Sequence, residues 1–226
     1  TIGISTYLIT LLVTDWIIFQ KYKFAEEVQK KKNDAYGIIS FSNAIGVALI
    51  LKQLFLVSQY SIIKYLIVWF LITCLYCAST RLYRFLGSQS FSKLMIQKNG
   101  GLALGYAGFV LCHALVLSSS LVESPLALNE YIISFISKSV IGLVLIPIIL
   151  FVFRKLFIST SFDHPARKEF GDFDHGIYEF LIFIFSGVFI SHLLHFVNLN
   201  LNFKLIALSI LTFTFIYKNI HVFLFP

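Results

Sequence analysis

Seven stretches of the chain are apolar almost without interruption: about 4–19, 35–56, 62–80, 101–121, 131–153, 176–197 and 204–224. A hydrocarbon layer about 30 Å thick takes roughly 20 apolar residues per helix. Each stretch therefore predicts a membrane-spanning helix, and the connections between them are too short to hold a soluble domain. The expected fold is all-α and polytopic, with about seven transmembrane helices in a single transmembrane domain over residues 1–226.

The stretches repeat. "KNDAYGIISFSNAIGVALIL" (32–51) aligns without a gap on "KNGGLALGYAGFVLCHALVL" (98–117), so that Lys32-Asn33 falls on Lys98-Asn99 and Ala48-Leu49 on Ala114-Leu115. A third copy, "EFLIFIFSGVFISHLL" (179–194), aligns on its Ser186-Gly187 and sets His192 opposite His113. A basic connection precedes each copy, and a bulky helix precedes that. The expected unit is a helical hairpin, with three units over about 4–57, 62–121 and 131–197 and an unpaired terminal helix at 204–224. Units that all run one way predict a pseudo-symmetry axis along the membrane normal.

The return helices carry small residues at one helical stripe. Gly101, Gly105, Gly108 and Cys112 recur at i, i+4, i+7 and i+11, which is one face of a helix. In the matched copies the last two places hold Ser42 with Gly46, and Gly187 with Ser191. Lipid is as apolar as leucine, so helices associate through close backbone packing at small residues. The second, fourth and sixth helices are expected inside, with the bulky odd-numbered ones outside.

Composition agrees with a membrane location: 58% of the residues are hydrophobic and 13% charged, against about 45–50% and 25% in soluble domains. A net charge of +7 would raise nucleic acid as a partner of a soluble protein, but here the placement of the charge matters more and no nucleic-acid partner is expected. Connections 20–34, 81–99 and 154–174 hold 13 of the 18 Lys and Arg, whereas 57–61, 122–130 and 198–203 hold none. Basic connections stay cytoplasmic, so the N-terminus is expected outside and the C-terminus inside. The first span lacks a basic n-region and its positive flank follows it, which reads as a retained helix and not a signal peptide; a start at Thr1 fits removal of an initiator Met. Cys74, Cys77 and Cys112 all lie within spans and read as small packing residues.

The stretch "IQKNGGLALGYAGFVLCHALVLSSS" (96–120), with Gly108 at its centre, and less strongly "EEVQKKKNDAYGIISFSNAIGVALIL" (26–51), resemble the domain-of-unknown-function 350 family. These are small bacterial inner-membrane proteins built from repeated helix pairs, whose return helix opens on a Lys/Asn-rich turn followed by an Ala/Gly/Ser-rich run. Members look like four-helix proteins of two units, whereas three units and a further helix are expected here. The third unit also departs from the pattern, with Tyr178-Glu179 where Asn-Gly would stand. The resemblance implies a multi-pass bacterial inner-membrane location. It supplies no activity, substrate or catalytic residue, and it implies at most a link to envelope stress.

Ionisable and polar residues within a span are functional candidates by default. Asp15, about four residues from the inner end of its span, is expected to pair with Lys218 or to reach the headgroups. Glu179 lies about one turn into the sixth span, where a helix N-terminus favours a carboxylate. Lys52, Lys64, Lys138 and Lys204 sit near outer ends and are expected to snorkel. Asn43 lies mid-span and is expected to point inward. His113 falls near the midplane, and His192 and His195 share a face at i, i+3. A hydrogen bond from histidine to Ser118, Ser119 or Asn43 is expected, or a proton-sensitive role.

No metal site is expected, because the outer half of the spans offers no carboxylate to join the histidines. Asp163, His164, Glu169, Asp172, Asp174 and His175 lie in the longest polar connection and read as a solvated, partner-accessible loop. No nucleotide-binding glycine loop, HExxH, GxSxG or clustered acidic pair occurs. The expectation is a non-enzymatic membrane component with no cofactor, surrounded by lipid. It would oligomerise or anchor a cytoplasmic protein partner on its basic loops. The competing class is a channel or transporter lined by Asn43, His113, His192 and Glu179.

Overall fold

The computed structural model describes residues 2–19, 32–58, 61–86, 98–121, 127–158 and 173–196. Six helices fill them: α1 (Ile2–Phe19), α2 (Asp34–Ser58), α3 (Ile62–Leu86), α4 (Gly100–Ser120), α5 (Leu128–Ile158) and α6 (Phe173–Phe196). Among the described residues there is no strand. All six helices contain a segment long and apolar enough to cross a membrane, which makes this a multi-pass membrane protein by length and composition. The expected helix at 204–224, with Lys204 and Lys218, lies outside the described residues, as does most of each basic connection.

Side-chain contacts give the directions of the helices. Phe19 stacks on Tyr36, 5.0 Å between centroids, and closes the α1–α2 hairpin at one end. Phe55 meets Tyr65 edge-on at 6.4 Å and closes α2–α3 at the other. Ser118 Oγ donates to Leu49 O and Gln53 Nε2 to Leu121 O, so α2 and α4 ascend together. Gly101, Gly108 and Cys112 of α4 meet Gly176, Phe180 and Gly187 of α6 in the same order, so α6 is parallel to both. Thr6 and Thr10 of α1 meet Tyr65 and Trp69 of α3, and those two helices run together as well.

The centre of the bundle is α4. Most of its residues are buried and none is exposed, and its largest interfaces are with α6 and then α2. The expectation that the even-numbered helices are all inside needs correcting. α6 keeps Leu181, Phe185, Val188 and Phe189 exposed, because a helix flanking the centre has one face on it and must turn the other outward. Odd-numbered α5 is not merely an outer wall. A side chain at its Gly142 would collide with Val116 of α4 and come within 3.0 Å of Leu194 of α6.

One local device precedes both α2 and α4. Lys32 and Lys98 adopt positive φ angles of 49° and 59°, a region that costs an L-residue about 1–2 kcal/mol. Each is followed by an asparagine. Asn99 caps α4: its side chain accepts from Leu102 N at 2.9 Å and its carbonyl from Ala103 N at 3.1 Å. Before α2, Tyr36 N donates to Asn33 O at 3.2 Å. The Lys-Asn pairs that align in sequence thus make the same left-handed turn into a helix.

Candidate functional site

Two unlike seams hold the bundle together. The first joins α1, α2 and α3 and is polar. The buried stripe of α1 is Thr6, Thr10, Thr14 and Ile18, four residues apart and therefore on one face. Each threonine donates back to its own helix, Thr10 to Thr6 O at 2.7 Å and Thr14 to Thr10 O at 2.8 Å. Their oxygens remain free to accept from neighbouring helices. Thr10 Oγ1 accepts from Trp69 Nε1 at 2.8 Å, and Thr6 Oγ1 lies 2.7 Å from Tyr65 OH.

Towards the C-terminal end of α1 in this seam, Asn43 is the hub. It is fully buried, and a side-chain amide in hydrocarbon needs partners for both of its ends. Its Nδ2 donates to Thr14 Oγ1 at 2.7 Å and to Asp15 Oδ1 at 2.9 Å, while its Oδ1 accepts from Tyr76 OH at 3.2 Å. Ser40, one turn before Asn43, donates to Asp15 Oδ2 at 3.4 Å. Asp15 is thereby held by neutral donors from α2, and Lys218, its expected partner, lies outside the described residues. Tyr106 of α4 extends the polar contacts by donating to Thr80 O of α3 at 3.1 Å.

The second seam joins α4 to α6 and is made of backbone. A Cβ placed on Gly176 would strike the carbonyl oxygen of Gly101 and lie 2.5 Å from its Cα. One on Gly108 would lie 2.7 Å from Phe180 Cα, and one on Gly187 would lie 3.0 Å from Cys112 Cα. Side chains are absent here because main chain occupies their volume. Gly105 and Cys112 are buried on the same face, and Ser191 is half-buried with its hydroxyl returned to Gly187 O at 2.7 Å.

Gly46 connects the seams. A Cβ at this position would lie 2.6 Å from Tyr76 OH and 3.1 Å from Ala114 Cβ. The hydroxyl that completes the Asn43 hub therefore passes through space that only glycine leaves open, between α2, α3 and α4. Ser42, on the same helix, is buried.

Other candidates land elsewhere. His113 is buried, and its Nδ1 pairs with Phe109 O one turn back, at 2.8 Å, with the ring 4.0 Å from that of Phe109. The expected cross-helix bond to Ser118, Ser119 or Asn43 gives way to this local one: Ser118 and Ser119 spend their hydroxyls on backbone carbonyls, and Asn43 is taken by α1 and α3. His192 and His195 lie on the exposed face of α6, so the aligned His113 and His192 do not meet. Glu179 is half-buried in the second turn of α6, because the helix starts at Phe173 and its first-turn acid is Asp174. Lys52 is exposed, and Lys64 Nζ stands 4.2 Å over the Tyr131 ring. Lys138 is buried, further in than the outer end expected for it. Cys77 and Cys112 are buried, Cys74 is exposed, and all three are free thiols. Asp163, His164, Glu169 and Asp172 lie outside the described residues. Among the described residues no three His, Cys, Asp or Glu side chains converge on a metal-sized site.

One family model, described as Domain of Unknown Function (DUF350), matches residues 55–194, from the last turn of α2 almost to the end of α6 and over more than half of the chain. The chain belongs to the DUF350 family. No curated protein and no solved structure matches it. The DUF350 match contains three complete helices, α3 to α5, and all but the last two residues of α6, and with them the whole backbone seam. Asp15, Ser40, Asn43 and the threonine stripe precede it, so the polar seam attaches two helices to a DUF350 core through Tyr65, Trp69 and Tyr76.

Reading the sequence by small residues finds Gly101, Gly108 and Gly187 but passes over Gly142 and Gly176, which stand outside the repeated positions. It also passes over Thr6, Thr10 and Thr14. Their four-residue spacing is a visible signal, concealed by a helix that is otherwise bulky and apolar.

Proposed function

We propose that the protein is a non-enzymatic structural component of a bacterial inner membrane, which oligomerises or anchors a cytoplasmic protein partner. The observation that carries this reading is the α4–α6 seam, where Gly101, Gly108 and Gly187 bring main chain against main chain. Such a contact leaves no volume for a hydrated path and no slack for the helices to slide. It suits a rigid frame.

Around that frame the reading sets three parallel hairpins and a seventh helix, the N-terminus outside and the C-terminus cytoplasmic. The basic connections would then face anionic inner-leaflet lipid, worth about 1 kcal/mol per basic residue near the surface, and the partner. The resemblance adds envelope stress as the setting. Purification from native membranes in mild detergent, followed by native mass spectrometry, tests this. The expected result is an oligomer or a stoichiometric complex, and elution as a bare monomer overturns it.

A second reading, a channel or transporter, draws on the Asp15–Asn43–Tyr76 network. Its path would run through the α1–α2–α3 seam and not between the even-numbered helices. Proteoliposome flux separates the two readings. Flux lost in Asn43→Leu but kept in His113→Phe with His192→Phe supports a path through the polar seam. No flux in any of these proteins removes the transport reading.

A further inference from the structure

Asp15 is the chemistry-bearing side chain that the structural reading does not require and whose own chemistry the transport reading leaves unspecified. It lies four residues, about 6 Å, from the end of α1, and its carboxylate is half-buried against α2. An ionised carboxylate in apolar surroundings is costly unless a cation or strong donors compensate it. The donors present are neutral, Asn43 Nδ2 at 2.9 Å and Ser40 Oγ at 3.4 Å. Among the described residues no Lys, Arg or His forms an ion pair with it. On α3 the titratable group that interacts with Asp15 is Tyr76, which also interacts with Cys77 and with Tyr106 of α4; α2 presents Ser40, Asn43 and, one turn before Ser40, Tyr36, which stacks on Phe19.

The two partners differ in a way that matters for a proton. An amide N–H can only donate, and Oδ1 accepts from it whether the acid is ionised or not. A hydroxyl both donates and accepts. Facing the ionised acid, Ser40 Oγ donates to Oδ2; facing the protonated acid, it accepts from Oδ2–H and turns its own hydrogen to a carbonyl of its own helix. One proton is added to the carboxylate, one hydroxyl rotates, and no helix has to move. Asn43, pinned by Thr14 and Tyr76, keeps Oδ1 in place in both states. A metal cation fits the same place poorly, because the amide hydrogens of Asn43 already occupy the side of the carboxylate that a cation would take.

We propose that Asp15 is a proton-binding site, exchanging one proton inside the α1–α2 seam, with Ser40 as its reversible partner and Asn43 as its positioning residue. The site gives the chain a chemical activity that a rigid frame does not need, and it stands whether or not the protein oligomerises.

The test is carboxyl-carbon magnetic resonance of full-length protein labelled at aspartate and reconstituted in phospholipid bilayers, followed as pH is changed. The chain has five aspartates: Asp15, Asp34, Asp163, Asp172 and Asp174. Replacing the last four by Asn leaves Asp15 as the sole signal without touching its seam, so assignment does not depend on a folded Asp15→Asn protein. The expected result is a single carboxyl resonance that moves between two limits with pH. Its midpoint shifts in Ser40→Ala, and shifts more in Asn43→Leu, which removes the shorter bond. A resonance that stays at one limit throughout the pH range of the folded protein overturns the proposal. So does a midpoint indifferent to both substitutions.

Discussion

The α1–α2–α3 seam and the α4–α6 seam solve one problem by opposite means. In lipid, burial of apolar surface does not distinguish a neighbouring helix from an acyl chain. The polar seam makes the distinction with hydrogen bonds that lipid cannot supply: Trp69 to Thr10, Asn43 to Thr14 and Asp15, Tyr76 to Asn43. The backbone seam makes it by removing side chains, so that Gly176 lies on Gly101 and Gly108 on Phe180. Close packing tolerates no addition, whereas a hydrogen bond can be lost and its groups can find other partners. The backbone seam should therefore be the more brittle of the two.

Gly108→Leu makes the sharpest test. Four carbons must enter space bounded by Phe180 Cα and O and by Phe183 Cβ, and overpacking a tight site costs about 1–3 kcal/mol, more where backbone must move. The expected cost is at the top of that range or above it, read as lost folded yield and an earlier transition in detergent-titrated unfolding. Gly37 is the internal comparison, with nothing within 4 Å of its missing Cβ. Gly37→Ala should leave stability level or raise it, by up to about 1 kcal/mol from helix propensity. Equal losses at the two glycines would mean that close approach is not what makes Gly108 necessary.

Asn43→Leu is the corresponding cut in the polar seam. Three bonds disappear at once, and interhelical hydrogen bonds in membranes average about 0.6 kcal/mol each, so a loss of about 2 kcal/mol is expected in the same unfolding assay. A loss above that of Gly108→Leu would reverse the ranking of the seams.

The unequal physics also explains what could be read beforehand. Apolar length alone announces six of the helices, because a bilayer demands it. Gly105, Gly108 and Cys112 stand out since small residues at helical spacing have few other uses in lipid. The Lys-Asn pairs are visible as a repeat, and the turn they share is local, set by two residues. By contrast, nothing in the order of residues says that Tyr76 reaches Asn43, 33 positions away, rather than the headgroups. Nor does it say that His113 turns back to Phe109. Those outcomes depend on which helices become neighbours, and that in turn depends on glycines such as Gly142 and Gly176 that follow no repeat.

Gly46 and Tyr76 sharpen the comparison, because they join the polar seam to α4, the helix on which the backbone seam is built. Gly46→Ala should cost about 1 kcal/mol, from the Tyr76 hydroxyl at 2.6 Å and Ala114 Cβ at 3.1 Å. Tyr76→Phe removes the clashing oxygen along with its bond to Asn43. In the double variant the alanine should then cost less than it does alone, a coupling of about 0.5–1 kcal/mol in a double-mutant cycle. Strict additivity would place the strain on the Ala114 side and disconnect Gly46 from the hub.

The smallest effect is expected where the two seams share a device, at a left-handed lysine exchanged for glycine. Lys98 at φ 59° gives up about 1–2 kcal/mol that glycine would not, but glycine also has more freedom to lose on folding. Lys98→Gly should therefore stabilise the turn by less than about 1 kcal/mol, and Lys98→Val, whose branched side chain tolerates positive φ least, should destabilise it by more than that. Asn99→Ala, which removes the acceptor for Leu102 N, should cost about 1 kcal/mol. If Lys98→Gly and Lys98→Val instead have the same effect on unfolding, the left-handed turn is not what begins α4, and the matching turn at Lys32 loses its significance as a shared entry into the polar seam.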